Sequence, residues 1–573
     1  MVDYLKKTED ILRTYSVFSE IRADCGKVLF KYRTKDFAID VPSDPETDFP
    51  ILYVIGDQDY SLPHIMPYEG KDGKRYVCLR QDGTYINFLF SFEEKIHDLC
   101  NRLISLMDLS DEEKEEEFHK EFLFYWNEAS ESADGLEIYI GEKDDEFGTL
   151  NAYVHKWGNN VLGKRLVKNG VRLNDCERTL ENGITWQHNP DIWAVYIPLM
   201  AAEGILPPLK NHPWTKDKLL RLLEDDHEKY LSDQVYRGLC KAKFKGSVGR
   251  IVLGLPIAGR YECCAVALNG GMRQKSSITE RIHNCLGIST IRSYRSDYKY
   301  LSQVIGNDSE LSHKNVLIVG AGSLGSYICK EIVKTGIREL TVYDGDKLAR
   351  ENTFRWNGTL RNSGYSFFGS YKTDLLNADL ERIHPEVIVD SHHEYLTVDI
   401  LQNISDKFDA IIFTVGSSDY QFLANKTLRE CGYKGWAVYV WLEPGGSYSH
   451  ILSINHSFPG CYQCLFTDAT GHPTDNLYNR ERSAAAFEMI RTDVCGGTRA
   501  SYGNAVLLRT TASLLGQMKC IFSGKQNENC LIDITPEEII NQGDSFKNVQ
   551  CKCCGIRNSS SSDEVSASGQ EHS

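Results

Sequence analysis

No apolar run in the 573 residues approaches the ~18–20 residues that a membrane-spanning helix needs. The opening "MVDYLKKTED" has no apolar stretch ahead of a small-residue cleavage site, so a secretory signal is not expected and a cytoplasmic location is. An excess of cations is also missing. Lys and Arg number 64 against 80 Asp and Glu, a net charge of -16, which argues against nucleic acid as a partner because phosphate binding needs clustered basic side chains. No internal repeat is visible. What is present is a globular composition, 41% hydrophobic and 25% charged, in a chain too long for one core, so several domains are expected. Cysteine is abundant, with 18 residues, but without an export signal these are expected to serve metals, catalysis or packing and not a disulfide framework.

The pattern divides the chain into an N-terminal α+β domain (1–125), an α/β linker domain (126–307), a doubly wound α/β domain (308–557) and a disordered Ser-rich tail (558–573). In the first, Leu5, Ile11, Leu12, Tyr15 and Phe18 share a helical face. The runs "KVLFKYR", "FAIDV" and "ILYVI" read as strands, and Ser91 with Glu94 has capping-box spacing before the stripe Ile96, Leu99, Leu103 and Met107. The charged stretch "SDEEKEEEFHKEF" reads as a solvated connecting helix and not as an acidic binding site. Residues 126–307 carry no motif that converts into chemistry.

The stretch "NVLIVGAGSLGSYICKEIVKTG" places Gly320, Gly322 and Gly325 as GxGxxG between a strand and a helix. Glycines allow a tight turn and close approach to a phosphate, and the helix start supplies amide donors, so a nucleotide pocket is expected. The motif alone does not separate a dinucleotide from ATP. Downstream, Asp344 suits ribose hydroxyls in either case, but Asp346, Asn352, Arg355, Lys372 and Asp419 add cations and a further carboxylate. Triphosphate with magnesium needs such groups, whereas hydride transfer does not, and the set reads as an ATP site.

Three groups of cysteines stand out. Cys461 with Cys464 and Cys551 with Cys554 form two CxxC pairs suited to a tetrahedral structural zinc site, with Cys553 to spare. Cys495 precedes two glycines and a helix expected near Ser501, a setting that favours a thiolate. Cys78 ends an extended segment ahead of the capped helix, and nearby His64 is a candidate polar helper, although a structural or solvent-facing role is the plainer reading.

The glycine loop and the spacing from Asp344 to Asn352 and Arg355 resemble the ThiF, MoeB and ubiquitin-activating superfamily, which adenylates the C-terminus of ubiquitin-fold proteins. The resemblance implies that Asp344 binds ribose, that Asn352, Arg355 and Lys372 bind phosphates, that Asp419 holds magnesium, and that Cys495 takes the acyl group as a thioester. An Arg finger from upstream is also implied, with Arg292 and Arg295 as candidates. Trp356 stands where the family commonly has Gln or His. The placement of Cys78 is similar to the active-site Cys of ubiquitin-conjugating enzymes, although their His-Pro-Asn tripeptide is absent.

Together these resemble the bacterial activating and conjugating fusion proteins of CBASS antiphage operons. That implies a homodimer that transfers a cGAS-like nucleotidyltransferase from Cys495 through Cys78 to target lysines. Conjugation of a bacterial ubiquitin-like protein and sulfur-carrier adenylation without conjugation are the alternatives. A degenerate nucleotide-binding adaptor and, more distantly, a dehydrogenase are also open.

Overall fold

In a computed structural model of the chain, the residues described are 2–56, 62–66, 74–79, 89–130, 135–157, 160–176, 186–209, 212–244, 246–270, 276–306, 309–362, 365–480, 489–491, 498–500 and 502–555. Two compact units emerge. One comprises Met1–Val171 with Asp175–Tyr300, the other Arg172–Asn174 with Leu301–Ser573.

The first unit opens with a five-stranded antiparallel meander: Phe18–Asp24, Lys27–Tyr32, Lys35–Asp40, Ile51–Ile55 and Lys74–Tyr76, paired in sequence order. Period-2 alternation sends Val28, Phe30 and Tyr32 to one face, where they meet Leu12 and the stripe Ile96, Leu99 and Leu103 of the helix Phe92–Met107. The expected capping box is formed: Ser91 N–H donates to Glu94 Oε2 at 2.7 Å and Glu94 N–H to Ser91 Oγ at 3.3 Å. The first helix, Val2–Thr14, is shorter than its periodicity suggests. Tyr15 lies beyond it and Phe18 begins the first strand, yet Phe18 is buried in the same core, which is why it matched the helical spacing.

The charged stretch does form a helix, Asp111–Lys120, followed at once by Phe122–Glu128. Phe122 and Trp126 enter a second core with Trp193, Ile251 and Leu253, in which the strands Val248–Ile257 and Arg260–Asn269 take part. These belong to a nine-stranded mixed sheet whose terminal strands, Gly287–Ile291 and Ser293–Arg295, are separated by Arg292 alone. The sheet therefore curls on itself, and Ala265 N–H donates to Ser293 Oγ at 3.0 Å across the junction.

The second unit is built on an eight-stranded sheet in the order Ile388–His392, Glu339–Tyr343, Asn315–Val319, Ala410–Phe413, Trp436–Leu442, Ser449–Ile454, Cys530–Ile534 and Ile539–Gly543. The first five strands are parallel and the last three antiparallel. Parallel strands joined through helices are covered on both faces, so they read as unbroken apolar runs: all four residues of Ala410–Phe413 are buried. The order reverses between Asn315–Val319 and Ala410–Phe413, and such a switch point opens a crevice at the carboxyl ends of the strands. Among the described residues no helix is long and apolar enough to cross a membrane.

Candidate active site

The crevice is a cavity of about 460 Å³ lined by Gly320, Gly322, Asp344, Asp346, Lys372, Tyr395, Thr414 and Ser417, among others. Gly320 leaves the first parallel strand at φ 101°, a backbone region that favours glycine. Gly322 caps the helix Ser323–Lys334, and a Cβ there would meet nothing within 4 Å, which leaves the loop surface open. Gly325 acts differently. A Cβ on it would lie 1.9 Å from the Gly320 carbonyl oxygen, so its role is the close seating of helix against loop.

Asp344 directly follows the strand Glu339–Tyr343 and is buried. Its Oδ2 accepts from Ala321 N–H at 2.7 Å and its Oδ1 from Asp346 N–H at 2.8 Å, which ties the carboxylate to the glycine loop. Lys372 begins the helix Lys372–Glu381 and donates to Asp346 Oδ2 at 2.7 Å, with Asp344 Oδ1 3.9 Å away. Burial raises the Asp344 pKa above the ordinary carboxylate value, and the Lys372 charge and the two amides oppose that rise.

The remaining expected residues are placed less uniformly. Asp419 lies exposed in the first turn of the helix Ser418–Glu430, whose flanking Ser417 and Tyr420 line the cavity. Asn352 is buried in the short turn Arg350–Asn352 and accepts from Ala349 N–H at 2.9 Å. Arg355 stacks over the Tyr502 ring at 5.0 Å. Neither Asn352 nor Arg355 is among the lining residues. Arg295 is corrected as a finger candidate: its side chain has no exposure and is held by Asp297 at 2.7 Å and Asp144 at 2.9 Å. A guanidinium that is fully buried and held by two carboxylates is not placed to reach a phosphate. Arg292 pairs with Glu128 at 3.7 Å.

Several cavity and supporting residues escaped the sequence. Tyr395 donates to Asp346 Oδ1 at 2.7 Å, and Thr414 Oγ1 donates to Gly320 O at 2.9 Å. Trp356 is buried, and its indole N–H donates to Ala321 O at 2.9 Å, so it braces the glycine loop from below. That contact gives the unexpected Trp a structural reason.

The paired cysteines converge. The Sγ atoms of Cys461, Cys464, Cys551 and Cys554 all lie within 4.8 Å of one another and are buried. Cys461 and Cys551 are 3.8 Å apart and Cys464 and Cys554 3.3 Å. Tetrahedral thiolates at ~2.3 Å from zinc stand about 3.8 Å apart, so the donor set fits that ion. Cys495 lies outside the described residues. Cys78 is half-buried in the first unit, following the strand Lys74–Tyr76.

With the cavity defined, comparison with known proteins gives it a family. Residues 297–535 match the ThiF family. This region is a ThiF-type adenylation domain. Over 419 residues the chain is 26% identical to the ATP-dependent ubiquitin transferase-like protein Cap2 of Pseudomonas aeruginosa, covering 71% of each chain. It is also 26% identical over 176 residues to ubiquitin-like modifier-activating enzyme 5 of Bombyx mori, covering 28% of this chain and 42% of that protein. An uncharacterised protein of Sinorhizobium fredii, y4oA, is matched over 31% of its length. The chain thus spans less than half of two of these relatives and more than two thirds of Cap2. Among solved structures, a crystal structure of E. coli MccB with MccA-N7isoASN aligns with 45% of this chain and 70% of its own, at 18% identity and a TM-score of 0.34. A ThiF-type adenylation domain uses ATP with magnesium, and the lining of the cavity is compatible with both.

Proposed function

We propose that the protein activates the C-terminal carboxylate of a protein substrate with ATP and passes the acyl group through two cysteines to target lysines. The observation that carries this reading is the cavity itself, in which the glycine loop, Asp344 and Lys372 meet at the sheet's switch point. The match to Cap2 supports the second half, because it extends well beyond the ThiF region.

In the first step a carboxylate oxygen bonds to the α-phosphorus of ATP and pyrophosphate leaves, giving an acyl adenylate. Lys372, on the cavity wall, offsets the charge that develops on the phosphates, and by the family resemblance Arg355 and Asn352, which stand outside the cavity lining, join it once ATP is bound. Magnesium, when bound at Asp419, supplies further charge neutralisation. The Cys495 thiolate then bonds to the acyl carbon and AMP leaves. In the last steps the Cys78 thiolate displaces Cys495, and a lysine amine displaces Cys78, losing its proton to leave an amide.

On this reading residues 1–125 form a ubiquitin-conjugating-like domain, 126–307 a linker domain and 308–557 the adenylation domain, followed by a tail over 558–573. The protein acts as a cytoplasmic homodimer, and its substrate in antiphage defence is a cGAS-like nucleotidyltransferase. The four clustered cysteines hold a structural zinc. One zinc per chain is expected by metal analysis, and removing it with a chelator is expected to lower the melting temperature of the second unit. A metal-free protein with an unchanged melting temperature would reduce the cluster to buried thiols.

The relay is tested by incubating the protein with ATP, magnesium and a cGAS-like nucleotidyltransferase or, in parallel, a bacterial ubiquitin-like protein. Non-reducing gels of wild type, Cys495→Ala and Cys78→Ala are expected to show thiol-sensitive adducts lost stepwise. Conjugation that is unchanged in Cys78→Ala would remove Cys78 from the pathway and favour adenylation without a second carrier.

A further inference from the structure

The transfer reading has His64 as a candidate polar helper of Cys78, and the charged helix that reads as solvated surface supplies a partner that holds it, Glu117. The segment carrying Cys78 pairs antiparallel with residues 64–66. Ile65 bridges Val77, Met66 N–H donates to Tyr76 O at 2.9 Å, and Cys78 N–H donates to His64 O at 2.6 Å. His64 is therefore the residue to which the Cys78 backbone is fastened.

His64 itself sits at φ 61°, in the left-handed region. That conformation costs a non-glycine residue on the order of 1–2 kcal/mol, so the surroundings must hold it. Three contacts do. The His64 N–H donates to the Tyr125 hydroxyl oxygen at 2.7 Å, Nε2 lies 2.9 Å from Glu117 Oε2, and Nδ1 lies 3.3 Å from Glu121 Oε1. Tyr125 is buried with Phe118 and Leu209, which makes the anchor rigid. Lys120 pairs with Glu117 at 2.7 Å and with Glu116 at 3.3 Å, so the charged groups around the ring are Glu117, Glu121 and Lys120; the Tyr125 hydroxyl sits on the His64 backbone and in turn feels Cys78.

An imidazole with a carboxylate on each nitrogen can donate to both only when it is protonated. Its neutral form would turn a lone pair toward one carboxylate. The hydrogen bond to Glu121 is the main influence raising the His64 pKa, burial opposes it, and Glu117 adds to the rise.

We propose that His64 is the positioning residue of Cys78: its imidazolium, bridging Glu117 and Glu121, fixes the turn that fastens the Cys78 amide, and loss of its proton releases that segment. The inference rests on the reading of Cys78 as the second acyl carrier. It adds a pH dependence to that step, with Cys78 held at low pH and loosened as pH rises through the His64 pKa.

The test is the rate of Cys78 alkylation by iodoacetamide in the full chain, followed by peptide mass spectrometry from pH 6 to 9. His64→Asn removes the charge while tolerating the left-handed backbone. At low pH His64→Asn is expected to alkylate on the order of tenfold faster than wild type, the equivalent of one lost charge-assisted hydrogen bond. The ratio is expected to fall toward one at high pH, where wild type has also released. Glu117→Gln/Glu121→Gln is expected to move that transition to lower pH, and it carries the test alone if His64→Asn does not fold. A ratio independent of pH, or no shift in the double variant, would overturn the proposal. Alkylation requires no acyl chemistry, so this outcome is separable from failure of the relay in the Cys78→Ala gel.

Discussion

Replacing Lys372 by Ala is expected to slow ATP–pyrophosphate exchange by about 10²–10³-fold, the usual cost of removing one preorganised group that stabilises developing charge. Among the described residues lining the cavity Lys372 is the sole cation. Its ammonium also stands between Asp344 and Asp346, at 3.9 and 2.7 Å. Loss of the ammonium therefore has two effects: the phosphates lose a partner, and two neighbouring carboxylates lose their counter-charge. The second effect pushes the already raised Asp344 pKa further up, because the Lys372 charge is the largest influence holding it down. Lys372→Arg keeps the charge and is expected to restore part of the rate. If Lys372→Ala exchanged at the wild-type rate, the ammonium would be a structural partner of the two aspartates and nothing more.

The second large effect lies in the interior of the sheet. His450 is fully buried, with Nδ1 2.6 Å from Asp533 Oδ1 and Nε2 2.7 Å from Glu443 Oε1. Glu443 also accepts from Arg480 N–H at 2.8 Å, and Asp533 from Gln542 Nε2 at 3.0 Å. Burial pushes the imidazole toward its neutral form, but the hydrogen bonds to Asp533 and Glu443 outweigh it and leave the pKa raised. His450→Gln would remove the cation between two buried carboxylates, and although Asp533 keeps the Arg480 guanidinium at 3.4 Å the loss is expected to cost about 3 kcal/mol, the low end for breaking a buried pair. Amide exchange in Ser449–Ile454 and Cys530–Ile534 reads this directly. Protection there is expected to fall by about two to three orders of magnitude if opening of this region carries the exchange. Because the folded pKa is raised, the contribution of His450 is complete below its unfolded value of ~6.5 and is lost as pH rises through the folded value. Protection in the wild type should therefore weaken on the alkaline side, and in His450→Gln it should not.

Much of the second unit was legible because its signals are local. Gly320, Gly322 and Gly325 fall within six residues, and each glycine answers to a need of the loop they form. The capping box at Ser91 and the period-2 strands of the first unit are local in the same sense. What escaped depends on pairs far apart in sequence. Arg295 is the mixed case in "IRSYRSD": one partner, Asp297, lies two positions on, but the second, Asp144, lies 151 positions away. His64 and Glu117 are separated by 53 positions, and His450 and Asp533 by 83. Tyr395 reaches Asp346 across 49. No spacing rule joins such residues, and only the folded sheet brings them together. Trp356 is a different case: read as a departure from a family pattern, it is a brace for the loop.

The most direct test of the account is whether the cavity activates a carboxylate with ATP. The protein would be given ATP labelled in the α-phosphate, magnesium and, in separate runs, a cGAS-like nucleotidyltransferase or a bacterial ubiquitin-like protein, and the fate of the label followed. The account predicts release of pyrophosphate and a labelled acyl adenylate that requires an intact C-terminal carboxylate on the partner and is lost in Lys372→Ala. ATP binding with no pyrophosphate released under any pairing, or binding of a nicotinamide dinucleotide in its place, would contradict it.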